Sequence, residues 1–229
     1  MKRRFLLTCL FLFFLVFFIF EGCATTEVSI KNEKTMGELA ELVQNRFAVV
    51  RAYNDSEIIS SSAVSMGNGF FLTTYHSLIH KENNMVLPFY VRRGILCDTI
   101  PYFISRENDM ALFWSSIGIT DSILTPRFNV NIGEQVSWVQ PIFHSNENLE
   151  IFFHVERISK TDSLRVFVDR PVFPGTSGSG LFDMNGNIIG IIDKLYYPHR
   201  DQVTYGSAIK IDLLEVIMRN IDNSYNLIK

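Results

Sequence analysis

The chain has 229 residues, enough for one or two compact domains, and 47% of them are hydrophobic, so a sizeable core can be buried. Its 24 acidic residues slightly outnumber its 21 basic ones. No Arg/Lys stripe interrupts that balance, which argues against a nucleic-acid partner.

The first residues read as a leader. Lys2-Arg3-Arg4 precede an almost unbroken apolar run from Phe5 to Phe20, followed by Glu21-Gly22-Cys23. A basic start and a greasy middle are the layout of an export signal, and the run falls short of the roughly 20 apolar residues of an ordinary transmembrane helix. Gly22-Cys23-Ala24 resembles a lipobox, where the thiol receives the lipid, although Phe20 and Glu21 depart from the usual residues. Three fates use such a leader: lipidation at Cys23, an uncleaved membrane anchor, or simple secretion. Residues 1–23 are assigned to the leader or anchor, with lipidation at Cys23 preferred, which places the chain in a bacterial cell envelope. Cys9 and Cys23 belong to that segment, so Cys97 stands alone in the folded part, without a disulfide partner, and is expected to be a packed thiol.

Residues 24–35 are polar and read as a tether. From Met36 to Phe47 the apolar positions Leu39, Leu42, Val43 and Phe47 predict a short amphipathic helix. Beyond it come short β-rich runs separated by Gly, Asn, Asp and Pro: 48–53, 61–66, 70–73, 85–91, 95–100, 111–114, 136–140, 151–158, 164–168, 188–192 and 203–209. Short strands at this spacing predict an all-β barrel or sandwich. The stretch 119–131 with Pro126 suits a crossing between two halves, and Asp212–Ile221 predicts a closing helix.

Three segments carry chemistry. In Pro174-Gly175-Thr176-Ser177-Gly178-Ser179-Gly180, glycines flank a serine. A nucleophilic serine needs its own N–H and a neighbouring one aimed at a developing oxyanion, which glycine permits. The same string would also suit a flexible surface loop. In Gly67-Asn68-Gly69-Phe70-Phe71-Leu72-Thr73-Thr74-Tyr75-His76, a strand rises from a glycine turn and ends at His76. A strand end can hold a general base in place, yet a lone histidine there is more often structural. In Asn108-Asp109-Met110-Ala111-Leu112, an acid precedes an apolar strand, where it could orient a histidine or merely serve a turn. Their order, His then Asp then Ser, is one of the known triad orders and differs from that of subtilisin and the α/β-hydrolases. The remaining histidines, His80, His144, His154 and His199, show no metal-ligand spacing.

With these strings in view, the chain resembles trypsin-like serine peptidases of the HtrA/Deg branch. GNGFFLTTYHSL, DMAL and PGTSGSGL are similar to that family's histidine, acid and serine segments. Ile132-Gly133-Glu134-Gln135-Val136 and Tyr205-Gly206-Ser207-Ala208-Ile209 are similar to the lead-in and the end of its second barrel. The resemblance implies an all-β fold of two six-stranded antiparallel barrels with a short N-terminal helix and a C-terminal helix. Residues 36–125 would form the first barrel, carrying His76 and Asp109, and residues 126–229 the second, carrying Ser177. It implies a serine endopeptidase acting through an acyl-enzyme on protein or peptide substrates, without a cofactor. Gly175 and Ser177 would form the oxyanion hole. Pro171 would lie at the floor of the specificity pocket, beside the strand Gly190-Ile191-Ile192, whose apolar residues suggest small or medium apolar substrate side chains.

Some features depart from the family. Ser179-Gly180 replaces Gly-Pro, a change partly shared with glutamyl endopeptidase-like relatives, and Tyr75 replaces a small residue. No room is left for the PDZ domain that follows many HtrA proteases. HtrA relatives often assemble as trimers, which keeps a homo-oligomer open, although nothing in residues 36–47 compels one. The alternative reading is a protease-fold binding or scaffold lipoprotein that has lost activity.

Overall fold

The computed structural model describes residues 34–53, 58–80, 83, 85–143, 149–196 (195 and 196 by backbone alone) and 205–211. The leader with Cys23, nearly all of the tether, His144, His199 and the expected helix Asp212–Ile221 lie outside these residues. Among the described residues no helix is long and apolar enough to cross a membrane.

Helix α1 (Met36–Arg46) starts at Thr35 through a capping box. The Thr35 hydroxyl accepts from the Glu38 amide at 3.3 Å, and the Glu38 carboxylate accepts from the Thr35 amide at 2.8 Å. These bonds satisfy two of the donors that a helix start leaves open. Leu39 and Val43, one turn apart, carry the buried face.

Seven strands follow in the first half: β1 (Phe47–Tyr53), β2 (Ile58–Gly67), β3 (Phe70–Thr74), β4 (Phe89–Arg93), β5 (Ile95–Asp98), β6 (Ile100–Ser105) and β7 (Met110–Trp114). They form one sheet in the order β5-β4-β1-β2-β3-β7-β6. The second half contributes β8 (Gln135–Phe143), β9 (Leu149–Thr161), β10 (Arg165–Val168), β11 (Gly180–Asp183), β12 (Ile188–Tyr196) and β13 (Tyr205–Lys210). These close into a barrel in the order β10-β13-β12-β11-β8-β9.

The expectation of two six-stranded barrels therefore needs a correction. The second half is a closed six-stranded barrel, whereas the first is an open seven-stranded sheet. Its two edges, β5 and β6, follow each other in the chain with only Thr99 between them and do not pair. Thr99 marks the break by donating its hydroxyl to the Phe89 carbonyl at 2.7 Å. Pro101 sits in edge strand β6, where its missing N–H is tolerated.

Alternating side chains divide the core. Ala48, Val50, Ala52, Phe71 and Phe113 fill the inside of the first sheet, while Trp138, Val166, Val168, Leu181 and Ile192 fill the barrel. A third cluster joins Leu39 and Val43 of α1 to Val49, Val64 and Leu72 of the first sheet and to Val139, Phe182 and Ile191 of the barrel. Strands buried on both faces explain why many of these runs are continuously apolar rather than alternating.

Candidate active site

The β3–β7 ladder brings two of the singled-out residues together. It pairs Thr74 with Met110 at its last rung, so the residues just past Thr74 and just before Met110 share one end of the sheet. His76 lies there in the 3-10 turn Tyr75–Leu78, and Asp109 lies there in the turn leading into β7. The Asp109 carboxylate holds His76 twice, accepting from the His76 amide at 2.9 Å and meeting the ring Nδ1 at 2.8 Å. The Tyr75 amide also donates to the Asp109 carbonyl at 3.1 Å. Asp109 takes φ 52°, a left-handed conformation that Asp tolerates better than most residues. A carboxylate only accepts, so Nδ1 carries the proton and the Nε2 lone pair is left for another partner.

Ser177 reaches this edge from the barrel through Ser62 on β2. The Ser62 amide donates to the Ser177 carbonyl at 2.9 Å, and the Ser62 hydroxyl to the Gly175 carbonyl at 2.7 Å. Thr73, on β3, donates its hydroxyl to the Ser62 carbonyl at 2.7 Å. The fit requires Gly178: its φ is 92°, and a Cβ there would sit 2.0 Å from the Ser62 carbonyl oxygen. Within the loop, the Ser179 amide donates to the Thr176 carbonyl at 2.9 Å. Among the described residues the Gly175 and Ser177 amides have no acceptor.

The Ser177 hydroxyl donates to the Asp193 carbonyl at 2.7 Å. That carbonyl is off the ladder because of a bulge. Ile192 pairs with Ala208 and Lys194 with Ser207, so Asp193 is skipped. The Asp193 side chain is fully buried. It meets Arg165 Nε at 3.0 Å and accepts from the Ser207 hydroxyl. Arg165 thereby supplies the counter-charge that a buried carboxylate needs.

The residues expected around a specificity pocket fall differently. Ile191 packs in the cluster joining the two halves and Ile192 inside the barrel, both buried. Pro171 is exposed, and Gly190 lies within β12. The apolar side chains of Ile191 and Ile192 thus pack in the core. A strand string does not say which of its two faces is turned inward.

Other residues keep structural settings. His154 lies 5.4 Å from the Trp138 ring, and burial, aided by Arg170, pushes its pKa below the ordinary histidine value. Cys97 is half-buried against the inside of the first sheet. Sequence reasoning missed Ser62 and the Asp193 carbonyl. The only hint of Ser62 was the polar run Ser60-Ser61-Ser62 inside a strand, and nothing marked the bulge.

This architecture is the fold of the trypsin-like, HtrA-type serine proteases. A Glu endopeptidase in complex with MPD superposes with a TM-score of 0.65 at 15% identity, covering 79% of this chain and 91% of that one. The Rv3671c protease from M. tuberculosis in its active form gives 0.63 at 12% identity, covering 77% and 81%. The HtrA-type protease AlgW with a tripeptide gives 0.63 at 20% identity, covering 82% and 64%. No protein-family model matches the chain, and no curated protein does.

Proposed function

We propose that the chain is a serine endopeptidase in which Ser177 is the nucleophile, His76 the general base and Asp109 the orienting acid. The observation that carries this reading is the double hold of Asp109 on His76, 2.9 Å to its amide and 2.8 Å to Nδ1. That hold fixes the tautomer in which Nε2 can take a proton. The Ser177 Oγ attacks the peptide carbonyl as His76 Nε2 accepts its proton. The amides of Gly175 and Ser177 receive the developing oxyanion. When the tetrahedral adduct collapses, the C–N bond breaks, the leaving nitrogen takes the proton from His76, and an ester remains on Ser177. Water, deprotonated by His76, then hydrolyses that ester and restores the serine. A fluorophosphonate probe tests this: it should label the wild-type chain and not the Ser177→Ala variant.

One observation favours a second reading, an inactive protease-fold scaffold. The Ser177 hydroxyl rests on the Asp193 carbonyl rather than on His76. Absence of labelling in the wild-type chain decides for the scaffold. In either case the leader motivates an envelope location, with lipid on Cys23 and protein substrates or partners at the membrane surface. A fatty-acid label that persists in the Cys23→Ser variant would exclude that attachment.

A further inference from the structure

We propose that a hollow between the first sheet and the paired ends of β8 and β9 is a docking site for an acidic, Leu-rich peptide segment of a partner protein. The hollow has a volume of about 370 Å³, within the range of ligand sites. Phe47 and Val49 of β1 line it together with Phe143 of β8 and with Leu149 and Ile151 of β9. The first sheet adds Arg51, Arg92 and Arg93. His76, Asp109 and Ser177 take no part in this lining, so the site does not depend on whether the chain cleaves peptides.

Strand pairing brings charge and apolar surface together here. Val49 and Arg92 are direct partners across the β1–β4 ladder, and Arg51 follows Val49 by two residues. Partners across a ladder and residues two apart share a face, so both guanidinium groups belong to the face of Val49. On the barrel side Phe143 pairs with Leu149, and Ile151 comes two residues later. Arg93 is fixed in place: its guanidinium meets Asp121 at 2.7 Å and donates to the Phe47 carbonyl at 3.4 Å and to the Asn45 carbonyl.

Charge and shape select the ligand. Among the described residues no acidic side chain lines the hollow. Asp121 answers Arg93, and the neighbouring Arg46, whose pKa burial pushes below the ordinary arginine value, draws on the same carboxylate. Asp98 lies on β5 opposite Tyr90, outside the lining. A guanidinium carries five N–H donors, so an arginine that already holds one partner can take a carboxylate as well. Leu149 and Ile151 are 38% and 36% exposed, which carries the apolar surface from the hollow onto its rim. Phe47 and Val49 are recessed, 5% and 3% exposed. A flat lipid surface does not reach recessed groups, whereas a side chain entering the hollow does. An extended segment alternating acidic and aliphatic residues turns its two kinds of side chain to opposite sides, carboxylates to Arg51 and Arg92 and aliphatic groups to the barrel wall.

The test uses the full-length Ser177→Ala chain, which removes the proposed nucleophile, and fluorescein-labelled octapeptides of alternating Leu-Glu, Leu-Lys and Ser-Glu. Fluorescence anisotropy should show the Leu-Glu peptide binding at least tenfold tighter than either of the others. Adding Arg92→Glu should reverse the charge preference, so that Leu-Lys binds tighter than Leu-Glu, a result that only a folded chain can give. Adding Ile151→Ser instead should bring the advantage of Leu-Glu over Ser-Glu below threefold. Each ratio is read within one variant, so a general loss of binding-competent protein cancels. Equal binding of the peptides by the parent chain, or a Leu-Glu preference unchanged in either variant, overturns the site. Phosphatidylglycerol vesicles that capture the parent chain but not the Arg92→Glu variant, with no peptide bound, would assign the arginines to a lipid surface and overturn the peptide.

Discussion

The Ser177 hydroxyl donates to the Asp193 carbonyl at 2.7 Å, while the His76 ring keeps its Nδ1 on Asp109 at 2.8 Å. His76 and Asp109 are thus paired, and the Ser177 hydroxyl is held beside the strand. The proposed mechanism requires it to leave that carbonyl and turn toward Nε2 by rotation about χ1 between staggered wells. The Asp109 carboxylate is then what keeps Nε2 able to accept. Asp109→Asn should lower kcat by about 10⁴, through the wrong tautomer, with little loss of fold. Steady-state kinetics on a cleaved peptide checks this, and a kcat within tenfold of wild type would remove Asp109 from the mechanism.

Ser62 is expected to act through the loop it holds. Its hydroxyl fixes the Gly175 carbonyl and its amide the Ser177 carbonyl, so both peptides next to the oxyanion amides are tied to β2. Ser62→Ala removes only the first bond, worth about 1 kcal/mol net. Turnover should fall about tenfold while KM stays within twofold, because the oxyanion forms only as the bond is attacked. A lowered Tm with unchanged kcat would mean that Ser62 supports the fold alone.

Several of these relationships were legible in the string, and the reasons are local. Ser177 stands out because glycines flank a serine at the start of a strand, although the same string would suit a surface loop. His76 and Asp109 are readable as ends of apolar strands. The β3–β7 rung between Thr74 and Met110 that brings them together was not, since register depends on tertiary pairing. Ser62 was hidden for the same reason: its value comes from the docking of two halves. The burial of Ile191 and Ile192 was not legible because an apolar strand string suits a pocket wall and a core equally. The open edge between β5 and β6 went unseen because Thr99 breaks an apparently continuous run.

Arg165 should matter more than its partly exposed position suggests. Its Nε meets the Asp193 carboxylate at 3.0 Å, and that carboxylate has no exposure of its own. Arg165→Ala would leave a buried charge with the Ser207 hydroxyl and a distant Lys194, 4.0 Å away, as its company. Stranding a buried charge costs about 3 kcal/mol or more. The bulge that presents the Asp193 carbonyl to Ser177 should loosen with it, lowering turnover as well. Urea unfolding measures the first effect and probe-labelling rates the second; a stability loss under about 1 kcal/mol would make the pair an ordinary surface contact.

The Arg127 cluster makes stability depend on acidity in a defined direction. Arg127 meets Glu134 at 2.8 Å and Asp183 at 3.3 Å, linking the lead-in of β8 to the β11–β12 hairpin. Burial works to raise the Glu134 pKa, but bonds from Arg127 and Asn131 outweigh it and hold the carboxyl below its ordinary value. A folded-state pKa below the unfolded one means that the unfolded chain binds the proton more readily. The stabilisation is thus present above the unfolded value, about 4.3, and is lost as pH falls through the lowered folded value. Glu134→Gln should therefore cost about 1 kcal/mol at neutral pH, since both partners are partly exposed and solvent-screened. Urea unfolding of the two proteins at neutral pH and in acid checks the sign: their difference should shrink below about pH 4, and one that held or grew in acid would show that Glu134 is not held in its charged form by Arg127.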